Sequence, residues 1–171
     1  FFSLPLHSPS QAVIERFFTV SKEAKILELG CGYGFFLAAC NQEGYHNVSG
    51  VEVIEKCVQF AKDEFGISTI EHGDIESFLL RQSDHSFDVI CAFDVIEHME
   101  KEKLLLILGL IYRKLKKGGM FLMQVPNGGS LSGLYIFNSD ITHEIAFTDI
   151  LSKELFSMVG FENVGVYSEF R

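Results

Sequence analysis

Short apolar runs alternate along this chain with segments whose apolar residues recur at helical spacing. Val13, Ile14, Phe17 and Phe18 form one such stripe, in a helix expected over 10–20 with Ser8-Pro9-Ser10 as its cap. A first strand follows at 25–29, a helix at 35–41, a β-branched strand at 47–52 and a helix at 54–65 that Gly66 stops. A short third strand over 68–71 and a helical turn over 74–80 precede 87–92, which is almost wholly apolar. Such a run suits a strand buried on both faces of a parallel sheet, so it is expected at the sheet's centre. A helix over 101–115 ends before Gly118-Gly119, a fifth strand over 120–125 is terminated by Pro126, and a helix over 149–159 is stopped by Gly160. Residues 161–170 have strand character, whereas 127–147 carry glycines, serines and aromatics without periodicity. Strands alternating with helices imply parallel pairing through right-handed crossovers, hence an α/β, doubly wound, mostly parallel sheet flanked by helices.

Chemistry concentrates where the first strand ends. In Ile26-Leu27-Glu28-Leu29-Gly30-Cys31-Gly32-Tyr33-Gly34 an apolar strand runs into a carboxylate and then three alternate glycines. Glycines there let bare backbone approach a ligand, and the helix that follows turns its N-terminal amides toward it, as in a nucleoside-cofactor loop. A dinucleotide fingerprint needs glycine at its first, third and sixth positions, but the sixth here is Phe35. Glu28 would repel a pyrophosphate and attract a cationic amino-acid group. Glu52 closes the second strand, at the distance where an acid accepts from ribose hydroxyls, and Asp74 follows the third, where it is able to accept from an exocyclic adenine amine. The ends of successive strands are where open α/β sheets bind ligands.

Taken together, Glu28-x-Gly30-x-Gly32-x-Gly34, Gly50-Val51-Glu52, Gly73-Asp74, Phe87-Asp88-Val89-Ile90, Asp94-Val95-Ile96-Glu97-His98 and Leu115-Lys116-Lys117-Gly118-Gly119 resemble the class I S-adenosylmethionine-dependent methyltransferases, in order and in spacing, over residues 24–127. The tail over 127–161 is similar, more loosely, to the small-molecule branch that includes ubiquinone-biosynthesis and sugar O-methyltransferases. The resemblance implies a Rossmann-like fold, S-adenosylmethionine as cofactor and in-line transfer of its methyl group to a small-molecule acceptor, most simply a hydroxyl oxygen. It implies that Gly30, Cys31, Gly32 and Gly34 form the loop against the amino-acid portion and ribose. Glu28 would hold the ammonium, Glu52 with Val53 the ribose, and Asp74 with the Ile75 amide the adenine. Phe93 and Asp94 would face the sulfonium and the acceptor. One methyltransferase domain over 1–171 is expected, with 1–22 as an N-terminal helical cap and 127–147 as an acceptor-site loop. Family members usually end in two strands, the last antiparallel. This chain has one, and begins without methionine, so a trimmed chain lacking that last strand is expected.

Histidine has the unperturbed pKa for proton abstraction near neutrality, which makes His143, in Asp140-Ile141-Thr142-His143-Glu144, and His98 the candidate general bases. Asp140, His143 and Glu144 make at most a partial metal set, and no metal is expected. Phe17, Phe18, Tyr33, Tyr135, Phe137 and Phe147 are candidates to line an apolar acceptor pocket, set against a chain with 17 phenylalanines, most of them ordinary core.

Composition narrows the partners. With 14 basic and 23 acidic side chains the net charge is −9, a field that repels a phosphate backbone, so nucleic acid is not the expected acceptor. The Asn/Asp-Pro-Pro-Tyr/Phe pattern of enzymes that methylate the amino groups of nucleic acids or glutamine is replaced by Phe93-Asp94-Val95-Ile96. A hydrophobic content of 47% in 171 residues is enough for a single core. The four cysteines show no CxxC pairing and read as small buried residues of a reducing, cytoplasmic compartment. No secretory signal is read at the N-terminus, and the apolar run 104–112 is shorter than the roughly 18 residues of a membrane span, so no membrane partner is expected. Oligomeric state stays open. Two alternatives stand beside the enzyme: a non-catalytic S-adenosylmethionine-binding regulatory module, and a nicotinamide-dependent oxidoreductase, which Phe35 and Glu28 disfavour.

Overall fold

A computed structural model describes residues 9–167. Five strands, β1 (Ile26–Leu29), β2 (Val48–Glu52), β3 (Ile70–His72), β4 (Phe87–Phe93) and β5 (Leu115–Gln124), make one all-parallel sheet of order β3-β2-β1-β4-β5. Helices α1 (Pro9–Phe17), α2 (Phe35–Gln42), α3 (Glu55–Phe65), α4 (Ile75–Arg81), α5 (Lys101–Lys114), α6 (Leu131–Ser139) and α7 (Asp149–Val159) complete it, with a 3₁₀ turn at Ile96–His98. The expected doubly wound α/β fold is therefore present. The chain's direction of travel reverses between β3 and β4, so the switch point lies at the C-terminal ends of β1 and β4.

Alternation along the strands divides the core. Leu27, Leu29, Ile90 and Ala92 face α4, α5 and α7, while Ile26, Val89 and Cys91 face α1, α2 and α3. Glu28 shares the second face with Ile26 by the same period of two, which puts its carboxylate among apolar neighbours. Cys31, Cys40, Cys57 and Cys91 are unpaired and buried. Among the described residues no helix is long and apolar enough to cross a membrane.

Several expectations are corrected. The central strand is β1, flanked by β2 and β4; β4 carried the stronger apolar signal because it is longer, but both are covered on two faces. α5 ends at Lys114 and β5 begins at once, through Gly118-Gly119, which read as a boundary. Gly118 takes a φ of 76°, and the pairing with β4 shifts between Phe87 and Val89, so the glycines form an irregularity inside the strand. Segment 127–147 is not irregular throughout: it contains α6, capped by the Ser130 hydroxyl accepting from the Gly133 amide. No apolar stripe announced this helix because only Gly133 is buried in it. No strand forms at 161–167, the described part of the segment given strand character, and 168–170 lie outside the described residues. α1 starts at Pro9 and ends at Phe17, three residues early, and the Ser8 of its expected cap and the N-terminal stretch 1–8 lie outside the described residues.

Candidate functional site

The loop after β1 is held from two sides. Gly30 and Cys31 both donate backbone N–H groups to the Val51 carbonyl, at 2.9 and 3.2 Å. Gly30 has a φ of 65°, and a Cβ there would stand 2.5 Å from Cγ2 of Val95, so a larger residue would push the loop off the turn that follows β4. Gly32 also has a positive φ, 50°, but a Cβ on it would meet nothing within 4 Å. Its open side is where a ligand is able to approach the chain. Gly34 packs against Ala61 and Ile70. The Cys31 thiol points inward, against Gly50, and burial, with Glu28 and Glu52 nearby, pushes its pKa up. Only the backbone of Cys31 is left for a ligand.

The three acids expected around a cofactor differ in state. Glu52 is buried and fully engaged: one carboxylate oxygen accepts from the Gly32 amide at 2.8 Å, the other from the Ile54 amide at 2.9 Å. It thereby ties the glycine loop to the turn into α3, past the exposed Val53. Glu28 is 5% exposed, and its Oε2 has no hydrogen-bond partner among the described residues. Burial, and then the charge of Glu52, raise its pKa well above the usual carboxylate range. Asp74 is exposed and caps α4, accepting from the Ser77 amide at 2.9 Å; that bond holds its pKa below the ordinary value. Ile75 begins α4 and packs partly into the core.

At the end of β4, Phe93 lies against Phe36 with ring centroids 4.7 Å apart. Asp94 has a φ of 53°, a left-handed conformation that costs a non-glycine residue roughly 1–3 kcal/mol. The Asp94 amide donates to the Gln124 carbonyl at 2.9 Å, and the Gln124 side chain donates to its carboxylate at 3.3 Å. Fully buried Ile96, two residues on, contributes about 1.5–3 kcal/mol, enough to hold that strain. Asp94 does not cap the 3₁₀ turn; Val95 occupies the cap position, without a side-chain bond.

Beside it, residues distant in sequence converge. The Glu97 carbonyl accepts from the Glu144 and Ile145 amides at 2.8 and 3.1 Å, which straps the end of segment 127–147 over the 3₁₀ turn. The segment is closed at its base by a bridge between Asn127 and Phe147. His98 and His143 come together, ring centroids 4.6 Å apart. His143 Nδ1 lies 2.8 Å from the Phe137 carbonyl, which only accepts, so Nδ1 carries a proton and, of the two neutral tautomers, the one with its lone pair on Nε2 is selected. His98 Nδ1 lies 2.8 Å from the Thr142 hydroxyl, whose own proton goes to Asp140 at 2.6 Å. The same tautomer follows for His98. Glu97 is fully buried and neither of its carboxylate oxygens has a partner among the described residues. One ligating atom each from Glu97, His98 and His143 lies within 4.8 Å of the others.

Glu97 stands within a motif of the sequence but has no role assigned from it, because nothing in the chain signals that its side chain is enclosed. Asp140 and Glu144, weighed there as partners of His143, do not join the group: Asp140 bonds Thr142, and Glu144 is exposed. Thr142, which orients His98, has no role in that reading either, and Phe137, a candidate there for the acceptor pocket, orients His143 through its backbone carbonyl. Of the aromatic candidates, Phe147 is core and Phe18 packs on Phe36 and Tyr45, whereas Phe137 stacks on His143 and Tyr135 is exposed.

A strand order of this kind, with a glycine loop and acids at the switch point, defines a class I S-adenosylmethionine-dependent methyltransferase. The chain belongs to the methyltransferase domain family, whose model matches residues 7–164. It is similar to an S-adenosylmethionine-dependent methyltransferase from Archaeoglobus fulgidus, with 28% identity and a TM-score of 0.79 over 90% of this chain and 68% of that one. Its fold is also that of a putative methyltransferase in complex with the Haloferax volcanii Trm112 methyltransferase activator (18% identity, TM-score 0.74, 88% and 71% covered). A possible histamine N-methyltransferase from Thermotoga maritima shares it too (21%, 0.71, 90% and 70%). No curated protein matches the sequence significantly.

Proposed function

We propose that this methyltransferase acts on a hydroxyl oxygen of a small molecule with an apolar body, as in the small-molecule branch of its class. The observation that carries the reading is the pair of converging imidazoles, His98 and His143, each held at Nδ1 so that Nε2 is the nitrogen left for activating a hydroxyl. Beside them, segment 127–147 exposes Leu131, at 89%, and Ile141, at 99%, with Tyr135 and Ile136, which suits an apolar acceptor. A net charge of −9 weighs against nucleic acid, and four unpaired, buried thiols suit a cytoplasmic setting.

The residues at the switch point fit the cofactor. An ammonium would supply the partner that buried Glu28 Oε2 lacks, and the open side of Gly32 accommodates a ligand against bare backbone. Gly30, Cys31 and Gly34 shape that loop, Glu52 and Val53 meet the ribose, and Asp74 and the Ile75 amide meet the adenine. Phe93 and Asp94 bound the reacting end. When bound, S-adenosylmethionine supplies a methyl group already activated on sulfur. The chain's own part is to hold the acceptor in line, keep water out and relieve the hydroxyl of its proton. A His143→Ala variant should lower kcat for a hydroxylated acceptor by about 10²-fold or more while leaving cofactor affinity within twofold. Equal activity in the variant refutes the reading.

A further inference from the structure

We infer that Glu97, His98 and His143 bind a divalent transition-metal cation just past the end of β4, where the reaction is proposed to occur. The inference rests on the proposed hydroxyl acceptor for its role, but not for its existence.

Three observations carry it. Glu97 is wholly buried, and among the described residues neither of its carboxylate oxygens has a partner. A buried carboxylate with no donor is strongly disfavoured unless a cation meets it or it stays protonated, and ordinary side-chain satisfaction is absent here. Second, the two imidazoles that flank it both hold Nδ1 against an acceptor, the Phe137 carbonyl and the Thr142 hydroxyl, so that Nε2 is the ring atom left to ligate. A metal-binding histidine has its other ring nitrogen fixed in this way by a carbonyl, hydroxyl or carboxylate. The chain spends a threonine, an aspartate and a helix-end carbonyl on orienting these rings, which a pair of surface histidines does not require. Third, the ligating atoms already lie within 4.8 Å of one another. Bonds of about 2.0–2.2 Å to nitrogen and oxygen then need only a small closing movement. The set of two imidazoles and one carboxylate leaves coordination positions open, as in catalytic rather than structural sites.

The donors select the metal class. Imidazole favours zinc, iron, cobalt or nickel over manganese, calcium or magnesium, which prefer oxygen. At the open position the acceptor's hydroxyl would bind, and the cation would lower its pKa. With both Nε2 lone pairs engaged on the cation, the cation and not an imidazole activates the hydroxyl: the O–H bond breaks and the proton goes to solvent. The oxygen lone pair then forms the bond to the methyl carbon as the carbon–sulfur bond breaks, and that bond's electron pair returns to sulfur, leaving the thioether product.

The test uses the full chain stripped with EDTA and titrated with Zn²⁺, Mn²⁺ and Co²⁺ by calorimetry, without S-adenosylmethionine. One equivalent of Zn²⁺ or Co²⁺ should bind, and Co²⁺ should give a visible absorption band of four- or five-coordination. Glu97→Gln, His98→Ala and His143→Ala should each weaken binding at least tenfold. The two histidines sit near the surface, so their variants report even where Glu97→Gln unfolds. Absence of stoichiometric binding, or equal binding in both histidine variants, overturns the site. Full methyl transfer by the stripped protein in the presence of EDTA overturns its role. Metal binding without transfer to any hydroxylated acceptor keeps the site and removes the hydroxyl reading instead.

Discussion

The two sides of the switch point are built by different means. On the glycine-loop side, proposed above to hold the cofactor, the ties are short in sequence: Glu52 reaches the Gly32 amide 20 residues back and the Ile54 amide two residues on. On the other side His98 meets Thr142 across 44 residues, and the Glu97 carbonyl holds the Glu144 and Ile145 amides. Consecutive βα units therefore make the first side, whereas a strapped excursion between β5 and α7 makes the second. A side of the first kind is fixed by the sheet itself, and one of the second kind depends on a closed loop. The separation suits a shared cofactor and a varied acceptor, since a loop is replaced more easily than a sheet edge.

The largest effect should come from breaking the strap alone. A Cβ on Gly133 would overlap the backbone of Asn127, where α6 crosses the base of the loop, and no side chain is there to give way. Gly133→Ala should open segment 127–147 and abolish methyl transfer. The sheet side, which shares none of these contacts, should keep its cofactor affinity within a factor of about 2. Calorimetry beside an activity assay reads both. A parallel loss of cofactor binding would mean that the two sides are not separate.

Glu52→Ala should do the reverse. It leaves the Gly32 and Ile54 amides without their acceptor, about 1–3 kcal/mol for each that stays buried. Cofactor affinity should fall tenfold or more. Ring contacts such as His98 with His143, or Phe137 on His143, should persist, which proton NMR of the histidine ring resonances would register.

The contrast also decides what the amino-acid sequence discloses. Glycines at alternate positions, a carboxylate before them and an acid closing the next strand are local patterns, so the loop and Glu28, Glu52 and Asp74 were legible without coordinates. So were the alternation of strands with helices and the helix stops at Gly66 and Gly160, both left-handed, but not the order of the strands in the sheet. Glu97 was not legible as a buried group, because its enclosure depends on residues 144 and 145 folding back over it. α6 escaped for a related reason: a helix with its apolar residues exposed has no stripe to read. β5 was misplaced at its start because two glycines signal a stop and a bulge equally well.

The two unequal carboxylates of the cofactor side offer a smaller and more discriminating test. Glu28 is buried without a partner on Oε2, so its folded pKa lies above that of the unfolded chain. Its protonated form is the one the fold favours. Stability from this group is fully present below the unfolded value near 4.5 and is lost as pH rises through the folded value. Glu28→Gln should therefore unfold later in urea than the parent at neutral pH, by more than the ~0.5 kcal/mol of ordinary surface changes, with the advantage vanishing in acid. The same variant should bind S-adenosylmethionine more weakly, since an amide offers no charge to an ammonium. A parent more stable than the variant at pH 7 would show that Glu28 is satisfied in the folded protein without a ligand.

Asp74 supplies the smallest effect and separates a cap from a contact. Its carboxylate is exposed and bonded to the Ser77 amide, with its pKa lowered, so its stabilisation is present above the ordinary value near 3.8 and lost as pH falls through the folded one. Asparagine caps helices about as well as aspartate. Asp74→Asn should leave the melting temperature at pH 7 unchanged, while cofactor affinity drops a few-fold because an adenine amine donates better to a carboxylate than to an amide oxygen. An Asn variant that binds S-adenosylmethionine as tightly as the parent would reduce Asp74 to the cap of α4, and leave Glu28 and Glu52 as the acids that serve the ligand.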